Sequence, residues 1–101
     1  MKFIEISKVE AVVVGSMKMF LVEGQEVLVV NLDAKFYAMG NRCTHARGDL
    51  SKGRLEGKIV VCPRHGSKFD VTNGSRISGP AKDNLPVFEI KVEDKSLKIK
   101  V

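Results

Sequence analysis

The sequence predicts an all-β fold, an antiparallel sandwich or barrel, and three observations carry that expectation. Apolar residues alternate with polar ones in short runs. No window of ten or more residues carries a helical stripe, and turn signals interrupt the runs at regular intervals. A chain of 101 residues suits a single domain, expected to span residues 1–101. Its 44% hydrophobic and 29% charged residues are the composition of an ordinary globule and exclude a disordered or fibrous chain.

The elements follow in chain order. Lys2 to Ile6 alternates as a strand, and Ser7 to Glu10 suits one short helical turn. Ala11 to Val14 is a largely β-branched run and is predicted as a short strand. Met17 to Val22 and Glu26 to Val30 flank Glu23-Gly24-Gln25, a tight-turn signal. Lys35 to Met39 follows a turn at Asp33-Ala34 and should pair back on the preceding strand. Lys58 to Cys62 and Lys68 to Thr72 are two further strands, and Asn73-Gly74 is the strongest hairpin signal in the chain. The remainder reads as one hairpin. Val87 to Val92 turns over Glu93-Asp94-Lys95 into Ser96 to Val101, where Leu97, Ile99 and Val101 alternate. Gly40, Gly48, Gly53 and Gly57 mark a different kind of segment, an irregular loop region resting on the β scaffold, where binding groups tend to sit.

Seventeen Lys and Arg against 12 Asp and Glu give a net charge of +5, which favours acidic partners. The basic residues are dispersed, and aromatics are few (five Phe, one Tyr, no Trp). A nucleic-acid footprint would cluster the cations and interleave stacking rings, so nucleic acid is not an expected partner. The apolar run Ala11 to Val14 falls far short of the roughly 20 residues that cross a bilayer. Met1 to Glu5 offers no signal-peptide stretch, so a cytoplasmic protein without membrane contact is expected. Two cysteines in that compartment do not suggest a structural disulfide.

Those cysteines and the chain's two histidines fall into two compact pairs, Cys43-Thr44-His45 and Cys62-Pro63-Arg64-His65. One intervening residue in the first pair and two in the second let each loop aim two side chains at a common centre. The spacer from Ala46 to Val61 lets the second loop fold back on the first. Two thiolates and two imidazoles suit one tetrahedral zinc or two sulfide-bridged irons.

The flanking residues separate these two chemistries. Cys43-Thr44-His45 and Cys62-Pro63-Arg64-His65-Gly66-Ser67-Lys68-Phe69-Asp70 resemble the two cluster-binding boxes of the Rieske iron–sulfur family. Phe36 to Arg42 is similar to the strand leading into the first box, and Gly53-Arg54-Leu55-Glu56-Gly57 to the spacer turn. Asp70 to Gly74 resembles the exit hairpin, Gly79-Pro80-Ala81 the proline loop over the cluster, and Leu85 to Phe88 the strand after it. The resemblance implies a Rieske-like antiparallel β sandwich or barrel, with a small cluster-binding subdomain of two loops at about residues 40–70 inserted in a basal β domain. It implies one 2Fe–2S cluster per chain, with Cys43 and Cys62 on one iron and His45 and His65 on the other.

Two thiolates leave the oxidised centre near neutral, where four would make it a dianion. Adding an electron is then easier, and Rieske potentials run from about −150 to +300 mV against about −400 mV for plant-type ferredoxins. High-potential members carry a second cysteine in each box, joined as a disulfide. Here those positions are Gly48 and Arg64, and Phe69 stands where they have a Tyr, while Ser67 keeps the serine position. Fewer donors near the sulfurs imply a low to intermediate potential.

The implied function is electron carriage between a reductase and a terminal oxidoreductase such as an oxygenase, with contact through an acidic face of the partner. No Gly-x-Gly-x-x-Gly fingerprint is present and both histidines are committed as ligands, so an electron carrier and not an enzyme is expected. Arg42, Arg47 and Arg64 are candidates for a positive docking rim. Two other readings stand beside this one: a Cys2His2 zinc-binding interaction module, and a small subunit of a larger oxidoreductase such as a nitrite reductase.

Overall fold

The computed structural model describes residues 2–101. Its strands are β1 (Phe3–Lys8), β2 (Met17–Val22), β3 (Gln25–Leu32), β4 (Lys35–Gly40), β5 (Arg54–Glu56), β6 (Ile59–Val61), β7 (Lys68–Asp70), β8 (Arg76–Ser78), β9 (Val87–Phe88), β10 (Ile90–Glu93) and β11 (Ser96–Lys100). They form three antiparallel sheets, ordered β1-β11-β10, β2-β3-β4-β9 and β5-β6-β7-β8. Helix among the described residues is limited to two single 3-10 turns, Val9–Ala11 and Leu50–Lys52, and no helix is long and apolar enough to cross a membrane.

Three two-residue turns set the registers. Glu23-Gly24, Asp33-Ala34 and Asp94-Lys95 all have positive φ at both positions, the left-handed geometry that matches the twist of a tight hairpin. Each closes on an adjacent pair: Val22 with Gln25, Leu32 with Lys35, and Glu93 with Ser96. Gln25 and Glu93 are therefore strand residues, not turn residues.

Strand β3 carries the architecture, because it is buried on both faces. Val27 and Val29 pack with Val12, Val22, Ala38, Leu97 and Ile99, between the second and first sheets. Leu28 and Val30, facing the other way, pack with Met39, Cys43, Leu50, Val60, Cys62, Phe69 and Val71, between the second and third sheets. A strand covered on both sides reads as an unbroken apolar run, which is why Val27 to Val30 shows no alternation. The third sheet and its loops fall between β4 and β9 in the chain. Both cysteines lie in the second core, so the ends of its strands are anchored where the two loops begin.

Three expected elements differ, and one strand is additional. Ala11 to Val14 is not a strand: Val12 is buried, but Val13 and Val14 are 63% and 62% exposed. There the backbone leaves a 3-10 turn and reaches Gly15, whose N–H donates to the Asn31 carbonyl, while the Asn31 amide donates to the Val12 carbonyl. Side-chain hydrogen bonding from Asn31 therefore outcompetes β propensity. The strand expected over Lys68 to Thr72 stops at Asp70, whose carboxylate accepts from the backbone and hydroxyl of Thr72. Gly74 then donates to the Asp70 carbonyl, turning the chain into β8, an element the sequence reading missed. The run from Val87 to Val92 is broken at Glu89, which separates β9 from β10 so that each joins a different sheet.

Candidate metal centre

Two loops, residues 43–48 and 62–67, leave the second core side by side and share one backbone design. In the first, the Cys43 N–H donates to the Gly48 carbonyl at 2.9 Å and the Arg47 N–H donates back to the Cys43 carbonyl at 2.9 Å. In the second, the Cys62 N–H donates to the Ser67 carbonyl at 2.8 Å and the Gly66 N–H donates to the Cys62 carbonyl at 3.1 Å. The fifth residue of each loop is left-handed, Arg47 at φ 56° and Gly66 at φ 78°. Each loop therefore starts with a buried cysteine and carries an exposed histidine before its left-handed residue.

The predicted donors come together as two pairs, imidazole with imidazole and thiol with thiol. The rings of His45 and His65 meet edge to face, with centroids 5.1 Å apart, and both are exposed. Cys43 and Cys62 are free thiols 2% and 3% exposed, in the same buried cluster. Burial pushes the Cys62 thiol up and the neighbouring Cys43 adds to it, against backbone N–H groups of Arg64 and His65 that face the sulfur. Such N–H groups stabilise a thiolate once a metal cation takes the place of the proton. Among the described residues, no three His, Cys, Asp or Glu side chains gather tightly enough to hold a single ion. Two thiols grouped on the buried side and two imidazoles on the exposed side suit two metals with two protein ligands each.

The loops are braced differently. Glu26 on β3 forms a fork with Arg42, Nε to Oε1 at 3.0 Å and Nη2 to Oε2 at 3.1 Å, and Arg42 Nη1 donates to the Arg47 carbonyl. The amide of Asn41 joins Glu26 to Asp49, whose carboxylate also accepts from the backbone and hydroxyl of Ser51. The Arg42 and Asn41 hydrogen bonds hold the Glu26 carboxyl below the usual carboxylate range. Partial burial opposes the same trend at Asp49, where the Ser51 and Asn41 bonds outweigh it. Sequence reasoning missed this brace, whose one visible sign was a Glu at the head of an otherwise apolar strand.

The second loop is held by the segment after β8. Ser67 is fully buried and its Oγ accepts the Ala81 N–H at 3.0 Å. Gly79 presses on it so closely that a Cβ there would stand 2.5 Å from the Ser67 Cα. The Thr44 hydroxyl donates to the Asp83 carbonyl, so the same covering segment reaches both loops. Gly48 fills the remaining gap. A Cβ at that position would meet Cys62 Sγ at 2.7 Å and Arg64 Cγ at 3.0 Å, which brings together the two positions that bear the disulfide in high-potential Rieske proteins.

The description "Rieske [2Fe-2S] domain" matches residues 2–89. The chain belongs to this family. Among relatives of the Rieske protein described here, the ferredoxin component of the naphthalene 1,2-dioxygenase system of Pseudomonas putida is 32% identical over 93 residues, covering 92% of this chain and 89% of the relative. The ferredoxin of carbazole 1,9a-dioxygenase from Nocardioides aromaticivorans IC177 superposes with a TM-score of 0.92 at 25% identity, covering 98% of this chain and 97% of that one. A ferredoxin in a carbazole 1,9a-dioxygenase complex of reduced oxygenase and oxidised ferredoxin gives 0.90 at 28% identity, covering 96% and 91%.

A Rieske domain carries a 2Fe–2S cluster, which supplies a single electron reversibly, and this protein is an electron carrier and not an enzyme. The residues present fit that group. Buried sulfur donors, exposed nitrogen donors and the close approach of the two loops that Gly48 permits provide the required donor set, and Ser67 offers a hydroxyl proton given to no protein acceptor among the described residues.

Proposed function

We propose that the protein passes single electrons from a reductase to a terminal oxygenase, with Cys43 and Cys62 holding one iron and His45 and His65 the other. The observation that carries this reading is the position of the imidazoles, exposed at the loop tips while the sulfurs face the core. Electrons then enter and leave through the histidine side. The capture of the carbazole ferredoxin with its oxygenase supports the choice of partner. Residues 40–70 act as a cluster-binding subdomain within a basal β domain spanning the rest of 1–101. A cytoplasmic location fits the protein's reliance on free thiols to load iron.

The surface that meets these partners is positively charged. Arg47 and Arg64, one from each loop, are exposed, and neither is in an ion pair among the described residues. Arg42, expected as a third member of the rim, instead turns to Glu26. Two unpaired guanidiniums beside the histidines favour an acidic partner surface, through steering more than through binding strength. Stopped-flow oxidation of the reduced holoprotein by ferricyanide, an anion, and by hexaammineruthenium(III), a cation, tests both the redox role and the rim. Ferricyanide should slow as salt rises and the ruthenium complex should accelerate, with both trends flattened in the double variant Arg47→Gln, Arg64→Gln. Absence of oxidation, or the reverse salt dependence, contradicts the reading.

A further inference from the structure

Arg76 has no part in the sequence motifs, yet its side chain makes two of the best-formed polar contacts near the site. Nε donates to the Ala81 carbonyl at 2.7 Å and Nη2 to the Gly79 carbonyl at 2.8 Å. These donors share one edge of the guanidinium, a fork that an ammonium group does not reproduce. The Arg76 backbone is itself pinned, its N–H donating to Asn84 Oδ1 at 2.9 Å. Residues 79–84 are thus tied down at Gly79, Ala81 and Asn84, all from one residue of β8. No carboxylate pairs with Arg76 among the described residues, so the guanidinium is devoted to these carbonyls.

The two peptide groups that Arg76 holds flank the Pro80–Ala81 peptide, whose Ala81 N–H occupies a lone pair of the Ser67 hydroxyl in a fully buried contact. A hydroxyl that accepts in a fixed direction has its own proton aimed elsewhere, here with no protein acceptor among the described residues. We propose that Arg76 is a positioning residue: by clamping the covering segment, it fixes the Ser67 hydroxyl as a donor to the cluster and so raises the reduction potential. The effect travels through two hydrogen-bonded steps, guanidinium to covering segment and Ala81 N–H to Ser67. It rests on the reading that the two loops hold a 2Fe–2S cluster.

Protein-film voltammetry of the loaded protein tests it with five variants, the two Arg76 substitutions, Ser67→Ala and the two double variants. Arg76→Lys keeps the charge and loses the fork, whereas Arg76→Gln loses both. Both should shift the midpoint negative by similar amounts, and neither should shift it further in a Ser67→Ala background, whose own midpoint is already lowered. An Arg76→Lys midpoint equal to wild type would reduce the effect to through-space charge and overturn the proposal. So would an equal Arg76→Gln shift with and without Ser67. Iron content and the EPR signal of the reduced wild type are read first. Their absence defeats the cluster reading itself, whereas a normal signal with unmoved midpoints defeats only the role of Arg76.

Discussion

The two loops at the tip repeat one backbone pattern and hold it by opposite means. Residues 43–48 are braced by charge, through Glu26, Arg42, Asn41 and Asp49. Residues 62–67 are braced by neutral backbone contacts, with Gly79 packed on Ser67 and Ala81 bonded to its hydroxyl. The first loop puts an arginine at its left-handed position, and the second puts a glycine there. The backbone design therefore does not dictate how it is supported. What both loops must do is present a buried sulfur and an exposed imidazole, and either support achieves that.

Filling the gap between the loops should have the largest effect. Gly48→Ala places a methyl 2.7 Å from Cys62 Sγ without a positive φ to relieve, so the clash is purely steric. Overpacking of this kind costs about 1–3 kcal/mol, here directed at a ligand, and iron content per chain should fall while the circular dichroism of the sheets is retained. Full iron occupancy in this variant would mean that the loops part more easily than their packing indicates.

Acid should distinguish the loops next. Glu26 and Asp49 have carboxyls held below their usual range in the folded protein. A depressed folded pKa stabilises fully above the unfolded value, about 4, and the contribution is lost as pH falls through the lower folded value. Hydrogen exchange read by mass spectrometry between pH 5 and pH 3 should loosen residues 43–48 before residues 62–67, whose braces do not titrate. Simultaneous loosening would show that the charged brace contributes nothing of its own.

Exchanging the left-handed residues should matter least, and with opposite signs. Gly66→Ala meets no atom within 4 Å, so its cost is conformational alone, about 1–2 kcal/mol. Arg47→Gly relieves the same strain but adds unfolded-state entropy of about 0.5–1 kcal/mol, for a small net gain. Thermal melting should give a clear drop for the first and a slight rise for the second.

Much of this comparison was readable from residue types. Cys43, His45, Cys62 and His65 are the only cysteines and histidines in the chain, so their pairing stood out. Strand alternation located most of the scaffold, and the two-residue turns are marked by Gly, Asp and their flanking runs. The braces were not readable. Glu26 and Arg42 are 16 residues apart, and Arg76 reaches carbonyls, which leave no trace in side-chain chemistry. Val13 and Val14 misled because β-branching reports local preference, whereas Asn31 set the course of that segment.

The proposed ligation is uneven, sulfur at one metal and nitrogen at the other. Mössbauer spectroscopy of the oxidised protein loaded with iron-57 tests it most directly, because two different donor pairs make two different irons. Two quadrupole doublets of equal area are expected. A single doublet, or a protein that takes up zinc and no iron, would contradict it.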